Sequence, residues 1–357
     1  MDLPDYLKTQ AQSINTGVNL HLSQFRTEVE SINPNLIPLV DLLIASCQGG
    51  KRVRGMLVKL GYEIALSSWL DQDLKDSGVA DAPQNDILKV AAAVEIFHAA
   101  ILIHDDVIDE SKLRRGQKTL YRKLGGDHYG VSQAIGLGDV GLFLPIKIIT
   151  ETHFDPDLKN KATNFFSQTI INTGLGEVLD VELPHLGLVS EEDVLTIHKL
   201  KTAFYTVSGP LILGATLAGS DADLIKKLEQ FGENLGIAFQ IQDDILGVFG
   251  DEEELGKSVT SDIEEGKNTL LITYALEKAN PEQKQILERN YGTGEISEEG
   301  LAQVKQVFTQ TGALDYSRQR AEEYVKIAIK ILPEITKDKV MSNLLQQMAE
   351  YLVARTK

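Results

Sequence analysis

Two short acidic clusters, each closing an apolar run, hold the chemistry open to this chain: Leu102-Ile103-His104-Asp105-Asp106-Val107-Ile108-Asp109 and Gln240-Ile241-Gln242-Asp243-Asp244-Ile245-Leu246. Adjacent carboxylates in apolar company repel one another and resist burial unless a cation lies between them. A hard divalent ion meets that need. A site built from one or two carboxylates, with other positions left to water and phosphate, suits Mg²⁺ handling a diphosphate. At helical spacing Asp105 and Asp109 are i and i+4, stacked on one face, with His98 two turns earlier on nearly the same stripe. In the second cluster the position four after Asp243 is Gly247, so one carboxylate completed by water is expected there. Neither cluster has the alternating acidic pattern and twelfth-position Glu of an EF-hand. A solvated charged face is the bland alternative, but two clusters in apolar settings, with basic residues to match, favour the metal.

Phosphates also call for cations. Gly49-Gly50-Lys51-Arg52-Val53-Arg54 is a glycine-hinged turn feeding a helical run, which sets Lys51 and Arg54 at i and i+3. Arg114-Arg115-Gly116 follows the first cluster closely enough for guanidinium forks to reach phosphate oxygens on the same metal. Lys201-Thr202, Lys257 and Lys267 supply further candidates. Any one of these alone reads as surface charge. Their pairing with turns and acidic clusters singles them out.

The elements that must position these groups are helices. The run Val90 to Ile101 is rich in helix formers and lacks Gly and Pro, which predicts a buried helix leading into the first cluster. Across 357 residues, 43% of them hydrophobic, apolar positions recur at helical spacing with few strand-like alternations. The expectation is an all-α chain, residues 1–357 forming one large helical bundle domain. Ser67 to Gln84 reads as an exposed loop, and Leu301 to Phe308 and Ala321 to Ile331 as amphipathic covering helices.

Composition narrows the partners. A net charge of −17 argues against nucleic acid, which wants a basic footprint, and requires any cations serving a phosphate to be focused locally. The uncharged stretch Thr202 to Ser220 is long enough to span a membrane, but its Ser, Thr, Gly and Pro content predicts a buried helix instead, with no integral membrane segment. The Met-Asp-Leu-Pro start lacks a signal-peptide pattern, and the lone Cys47 suits a reducing cytoplasm. No Cys/His spacing suggests zinc.

Taken together, the motifs resemble the trans-isoprenyl diphosphate synthases, the polyprenyl synthetase family, from Gly49 to about Thr269. The turn at Gly49 to Arg54 is similar to the family's GGKRxRP opening. Glu95 and His98 with the first acidic cluster resemble its first aspartate-rich motif, and Leu113 to Gly116 the RRG that follows. Gly138-Asp139, Lys201-Thr202, Phe239-Gln240 with Asp243-Asp244, Gly256-Lys257 and the Asp262 to Thr269 segment match the remaining landmarks in order.

The resemblance implies an isoprenoid-synthase helical bundle with a central cavity, active as a homodimer. Asp105, Asp109 and Asp243 would hold three Mg²⁺ ions against an allylic diphosphate, which Arg114, Lys201, Lys257 and Lys267 would also grip. Lys51, Arg54, His98 and Arg115 would bind isopentenyl diphosphate, while Thr202 and Gln240 would face the carbocation. In that chemistry the allylic C–O bond ionises as charge is drawn off the departing diphosphate, and the alkene of isopentenyl diphosphate attacks the cation. The departing diphosphate then takes the proton, with water excluded.

Three departures from the family pattern stand out: Gly55 for the usual Pro, Gly247 for a third aspartate, and Glu177 where Gln is commoner. Product length is expected to depend on residues one or two turns before Asp105. Ala100 and Ile101 lack stopping bulk, whereas Phe97, one turn (about 5 Å) deeper, is the candidate floor. This favours geranylgeranyl diphosphate, a C20 product, over farnesyl, with a longer polyprenyl product open if Phe97 points away; the bland alternative is that Phe97 is ordinary core. A class I terpene cyclase would carry a different second motif and no second diphosphate seat. A silent partner subunit would have lost an acidic cluster, and this chain keeps both.

Overall fold

Glycines decide where the helices of this chain touch. The computed structural model describes residues 3–70, 84–187, 189–252 and 259–354. Its helices begin with Leu3–Ile32 (α1), Ile37–Ser46 (α2), Val53–Leu70 (α3), Gln84–Ile108 (α4), Leu120–Lys123 (α5), His128–Thr150 (α6) and Pro156–Leu186 (α7). Glu191–Ile197 (α8), a π-helical segment His198–Ser208, Gly209–Leu217 (α9) and Ala222–Phe249 (α10) follow, and further helices run on to Ala354. Among the described residues the strands are Leu113–Arg114 (β1) and Gln117–Lys118 (β2), an antiparallel pair. The fold is all-α, as expected.

The chain divides into two compact units. The first comprises Met1–Gln168, Gly209–Glu229 and Pro333–Leu344. At its centre is α4, the helix anticipated from Val90 to Ile101. Val90, Ala91, Ala92, Ala93 and Ile96 are all fully buried, so this helix is apolar on every side. Small residues let its neighbours close in. A Cβ on Gly141 of α6 would lie 2.7 Å from the Ala100 Cβ of α4. A Cβ on Gly61 of α3 would lie 2.0 Å from the Leu211 carbonyl oxygen of α9, and one on Gly214 of α9 would lie 1.9 Å from that of Val58. Ile14, Leu22 and Leu43 on α1 and α2 complete the core, each contributing roughly 1.5–3 kcal/mol by burial.

The second unit comprises Thr169–Ser208, Gln230–Leu332 and Leu345–Lys357. One core cluster joins Val194, Ala203, Ile237, Ile241 and Ile245, and another joins Val248, Ile263, Leu271, Val304 and Phe308. The amphipathic spacing from Leu301 to Phe308 falls in helix Glu298–Gln310, with Val304, Val307 and Phe308 buried. α8 opens on a capping box in which Ser190 and Asp193 satisfy each other's backbone N–H.

Three local expectations need adjustment. Ser67–Leu70 belongs to α3 and Gln84 opens α4, which leaves only 71–83 of the expected loop, outside the described residues. Thr202 to Ser220 is buried for most of its length but is two pieces, the π-helical segment and α9. The hairpin carries little sequence signal because its turn is Arg115-Gly116, not Asn-Gly. Two other helical stretches, Asn85–Ile108 and His128–Thr150, are apolar and long enough to cross a membrane; 67% and 44% of their most apolar windows are buried within the protein.

Candidate active site

The basic turn of the first unit is built from left-handed backbone. Gly49 and Gly50 have φ of 75° and 88°, and Arg52 takes φ 55° without the freedom of glycine. What holds Arg52 there is a set of buried partners: its Nε donates to Asn15 Oδ1 at 2.7 Å, its Nη2 to the Cys47 carbonyl at 2.8 Å, and Glu95 lies 3.6 Å away. Glu95 also accepts from the Gly55 N–H at 2.8 Å. Sequence reasoning gave Arg52 no role because its partners lie up to 43 positions away; here it is the strut that carries Lys51 and Arg54. The Cys47 thiol beneath it is 1% exposed, and burial pushes its pKa up to about 12.

The hairpin supplies the other two arginines. Arg115 and Gly116 both have positive φ, 53° and 71°, the two-residue turn geometry that a right-handed strand twist prefers. Arg115 reaches back to the glycine turn, donating to the Gln48 carbonyl at 2.9 Å. A Cβ on Gly50 would lie 3.1 Å from its Nη2. Arg114 points to the acidic cluster instead, its Nη2 donating to Asp105 at 2.9 Å and its Nε to Asp106 at 2.6 Å. Burial opposes charge on Arg114, but Asp105 and Asp106 outweigh it and raise its pKa. His98 is held well below the usual histidine range by burial and by Arg54, Arg115, Arg114 and Arg52, so its imidazole is neutral.

Asp105 lies in the last turn of α4, and the Asp109 N–H still donates to the Asp105 carbonyl at 2.9 Å, which keeps Asp109 in helical register one residue past the helix end. The two side chains each bring a carboxylate oxygen within 4.8 Å of the other. Such a pair of hard oxygen donors fits Mg²⁺. Asp106 points elsewhere: it is 5% exposed, and burial raises its pKa to about 6 against the pull of Arg114. His104 packs under the Gly138-Asp139 landmark, its Nε2 3.1 Å from the Ile135 carbonyl and 3.4 Å from Asp139.

In the second unit the π-helical segment carries Lys201 and Thr202. Its register is set by close approaches: a Cβ on Gly176 would lie 2.4 Å from the Lys201 nitrogen, one on Gly236 2.5 Å from the Ala203 Cα, and one on Gly232 2.4 Å from the Ser208 Cα. Lys201 Nζ lies 2.8 Å from Glu177 and 2.9 Å from Asp180, so the unusual Glu177 serves as an ion-pair partner. A polar chain runs on from Thr202, whose hydroxyl donates to Gln240 Oε1 at 2.8 Å; the Gln240 amide donates to Asp244 at 2.8 Å, and His198 Nε2 lies 3.0 Å from the same carboxylate. Burial raises the Asp244 pKa, with His198 and Gln240 working against it. Asp244 thus organises the network, while Asp243 beside it is half-buried. A Cβ at Gly247 would lie 1.9 Å from Asp262 Oδ2, so a side chain there would require the Asp262 carboxylate to move. Lys267 pairs with Asp262 at 3.5 Å and Glu265 at 3.1 Å. His198 carried no signal of this role in the sequence, being separated from its partner by 46 positions. Lys257 lies outside the described residues.

An all-α fold presenting a paired-carboxylate helix end, with Arg114 turned toward it, fits a class of metal-dependent diphosphate enzymes. The family comparison gives that class its name: residues 38–310 match polyprenyl synthetase, and the chain belongs to that family. It is 33% identical over 312 residues to the geranylgeranyl diphosphate synthase of Saccharolobus solfataricus, covering 87% of each chain. It is 31% identical over 346 residues to the geranylfarnesyl diphosphate synthase of Aeropyrum pernix, covering 96% of this chain and 94% of the relative. Among solved structures, a geranylgeranyl pyrophosphate synthase from Corynebacterium glutamicum, complexed with isoprenyl diphosphate and magnesium, superposes with a TM-score of 0.90 at 28% identity, covering 99% of this chain and 100% of that one.

Proposed function

We propose that this chain is a geranylgeranyl diphosphate synthase: a trans-prenyltransferase that condenses isopentenyl diphosphate head-to-tail with an allylic diphosphate and stops at C20. The observation that carries the reading is the Asp105–Asp109 oxygen pair, within 4.8 Å, in the same unit as the Arg52-strutted basic turn. One feature is a grip for a metal and the other a seat for a second diphosphate. Asp105, Asp109 and Asp243 are assigned to three Mg²⁺ ions. Bound there, Mg²⁺ supplies positive charge to the leaving diphosphate.

The remaining roles fall to the chain's own side chains. Arg114, Lys201, Lys257 and Lys267 hold the allylic diphosphate, and Lys51, Arg54, His98 and Arg115 hold that of isopentenyl diphosphate. Neutral His98 offers one N–H without adding to the local positive charge. Thr202 and Gln240 present oxygens to the allylic cation, with Gln240 orientated by its bond to Asp244. Phe97, Ala100 and Ile101 line the shaft that receives the growing chain, in a single catalytic domain of residues 1–357.

The reading includes a homodimer. More than half of the most apolar window of α6 is not buried within the protein, and Tyr129, Val140 and Phe143 on that helix are 53%, 37% and 69% exposed. A second copy is the cover we assign to them. A cytoplasmic setting accords with the single buried cysteine.

The test is incubation of purified protein with radiolabelled isopentenyl diphosphate, Mg²⁺ and dimethylallyl, geranyl or farnesyl diphosphate, followed by chromatography of the dephosphorylated products. A C20 alcohol is expected, and loss of turnover in Asp105→Ala without a change in melting temperature. An active Asp105→Ala enzyme would remove the metal assignment. A C25 alcohol would establish a second reading, favoured by the likeness to the geranylfarnesyl diphosphate synthase of Aeropyrum pernix.

A further inference from the structure

Phe97 does not stand alone. It is fully buried, and its ring meets that of Phe166 on α7 edge to face, with centroids 5.0 Å apart and planes at 67°. Phe166 is itself only 3% exposed. This geometry matches the edge-to-face attraction of two ring quadrupoles, which fixes orientation as well as position. Phe97 lies eight residues before Asp105, about 12 Å down the helix axis. One turn deeper, α4 presents Ala93 and Val94, both fully buried and smaller. Phe97 is therefore the last large side chain that this face of α4 offers.

We propose that Phe166 is a specificity-determining positioning residue: it holds the Phe97 ring in the blocking orientation and so sets the length at which product growth stops. The inference rests on the reading of α4 as a wall of the product shaft. Phe166 acts through Phe97. Without its edge contact the Phe97 ring turns aside under the pressure of the growing chain, and elongation continues by at least one five-carbon unit.

The experiment measures product length, which a merely structural role would not move. Wild-type protein, Phe166→Leu, Phe166→Ala, Phe97→Ala and the Phe97→Ala/Phe166→Leu double variant are each incubated with isopentenyl diphosphate, farnesyl diphosphate and Mg²⁺, and the dephosphorylated products are chromatographed. Melting temperatures are taken alongside, and Phe166→Leu keeps the test open if the alanine variant does not fold. Both single Phe166 variants are expected to lengthen the main product by one unit or more, and the double variant to match Phe97→Ala. Wild-type product from the Phe166 variants, with longer product from Phe97→Ala, overturns the proposal and leaves the floor at Phe97 intact. Unchanged product from Phe97→Ala removes the floor itself, and the proposal with it. A double variant that outruns Phe97→Ala would mean that Phe166 blocks the shaft directly, and the positioning role would fall.

Discussion

Gly55 occupies a position where a proline is usual in the family, and its N–H explains the exchange. That group donates to Glu95, the buried carboxylate that also faces Arg52, and a Cβ at 55 would lie 2.8 Å from the Ala91 carbonyl oxygen. Gly55→Pro removes the donor and adds the clash, so it should lower unfolding free energy by about 1–3 kcal/mol in urea titrations. His98 gives a pH signature. Its folded pKa lies well below 6.5, so below that value the unfolded chain takes up a proton that the folded one refuses. Stability therefore falls as pH drops through 6.5 toward the folded value, by up to about 1.4 kcal/mol per pH unit. Between pH 7.5 and 5.5, wild-type protein should lose roughly 1 kcal/mol more than His98→Gln. Groups such as Asp105 and Lys201 were legible in the sequence because their motifs are local. Arg52 and His198 were not, because each is defined by a partner far along the chain.

At the scale of elements, the π-helical segment depends on what is missing from its neighbours. Gly176 brings the α7 backbone against the Lys201 nitrogen, and adding one methyl group there forces either helix to move. Gly176→Ala should cost about 1–3 kcal/mol by overpacking and lower turnover at least tenfold, because Lys201 and Thr202 are displaced together. Gly174→Ala is the control, since a Cβ there meets nothing within 4 Å; it should keep full activity. Melting curves and steady-state rates on both variants decide the point. The helices themselves could be read from apolar periodicity and sparse proline. The π register could not, because a shift from i+4 to i+5 bonding changes neither composition nor period enough to mark it.

For the whole molecule, the chain's all-helical nature and its family were legible, since ordered motifs survive where overall identity is low. The division into two compact units was not, because no composition shift marks it and α7 and α10 each contribute residues to both. Association is the property to test at this scale. Phe143→Glu places a charge on the most exposed apolar side chain of α6; if the proposed homodimer uses that face, size-exclusion chromatography with light scattering should show dimer for wild type and monomer for the variant. A variant dimer as stable as wild type would move the interface elsewhere, and a monomeric wild type would remove the dimer proposal.

Cys47 turns the Arg52 strut into something a bench chemist can watch. It is the sole thiol in the sequence, sealed at 1% exposure, and its carbonyl is tied to the strut. A chromogenic disulfide reagent will thus colour only molecules whose basic turn has sprung open, so the labelling rate is a stopwatch for that opening. Phosphate-bearing ligands that clasp the turn should slow the watch, with no tag engineered into the protein.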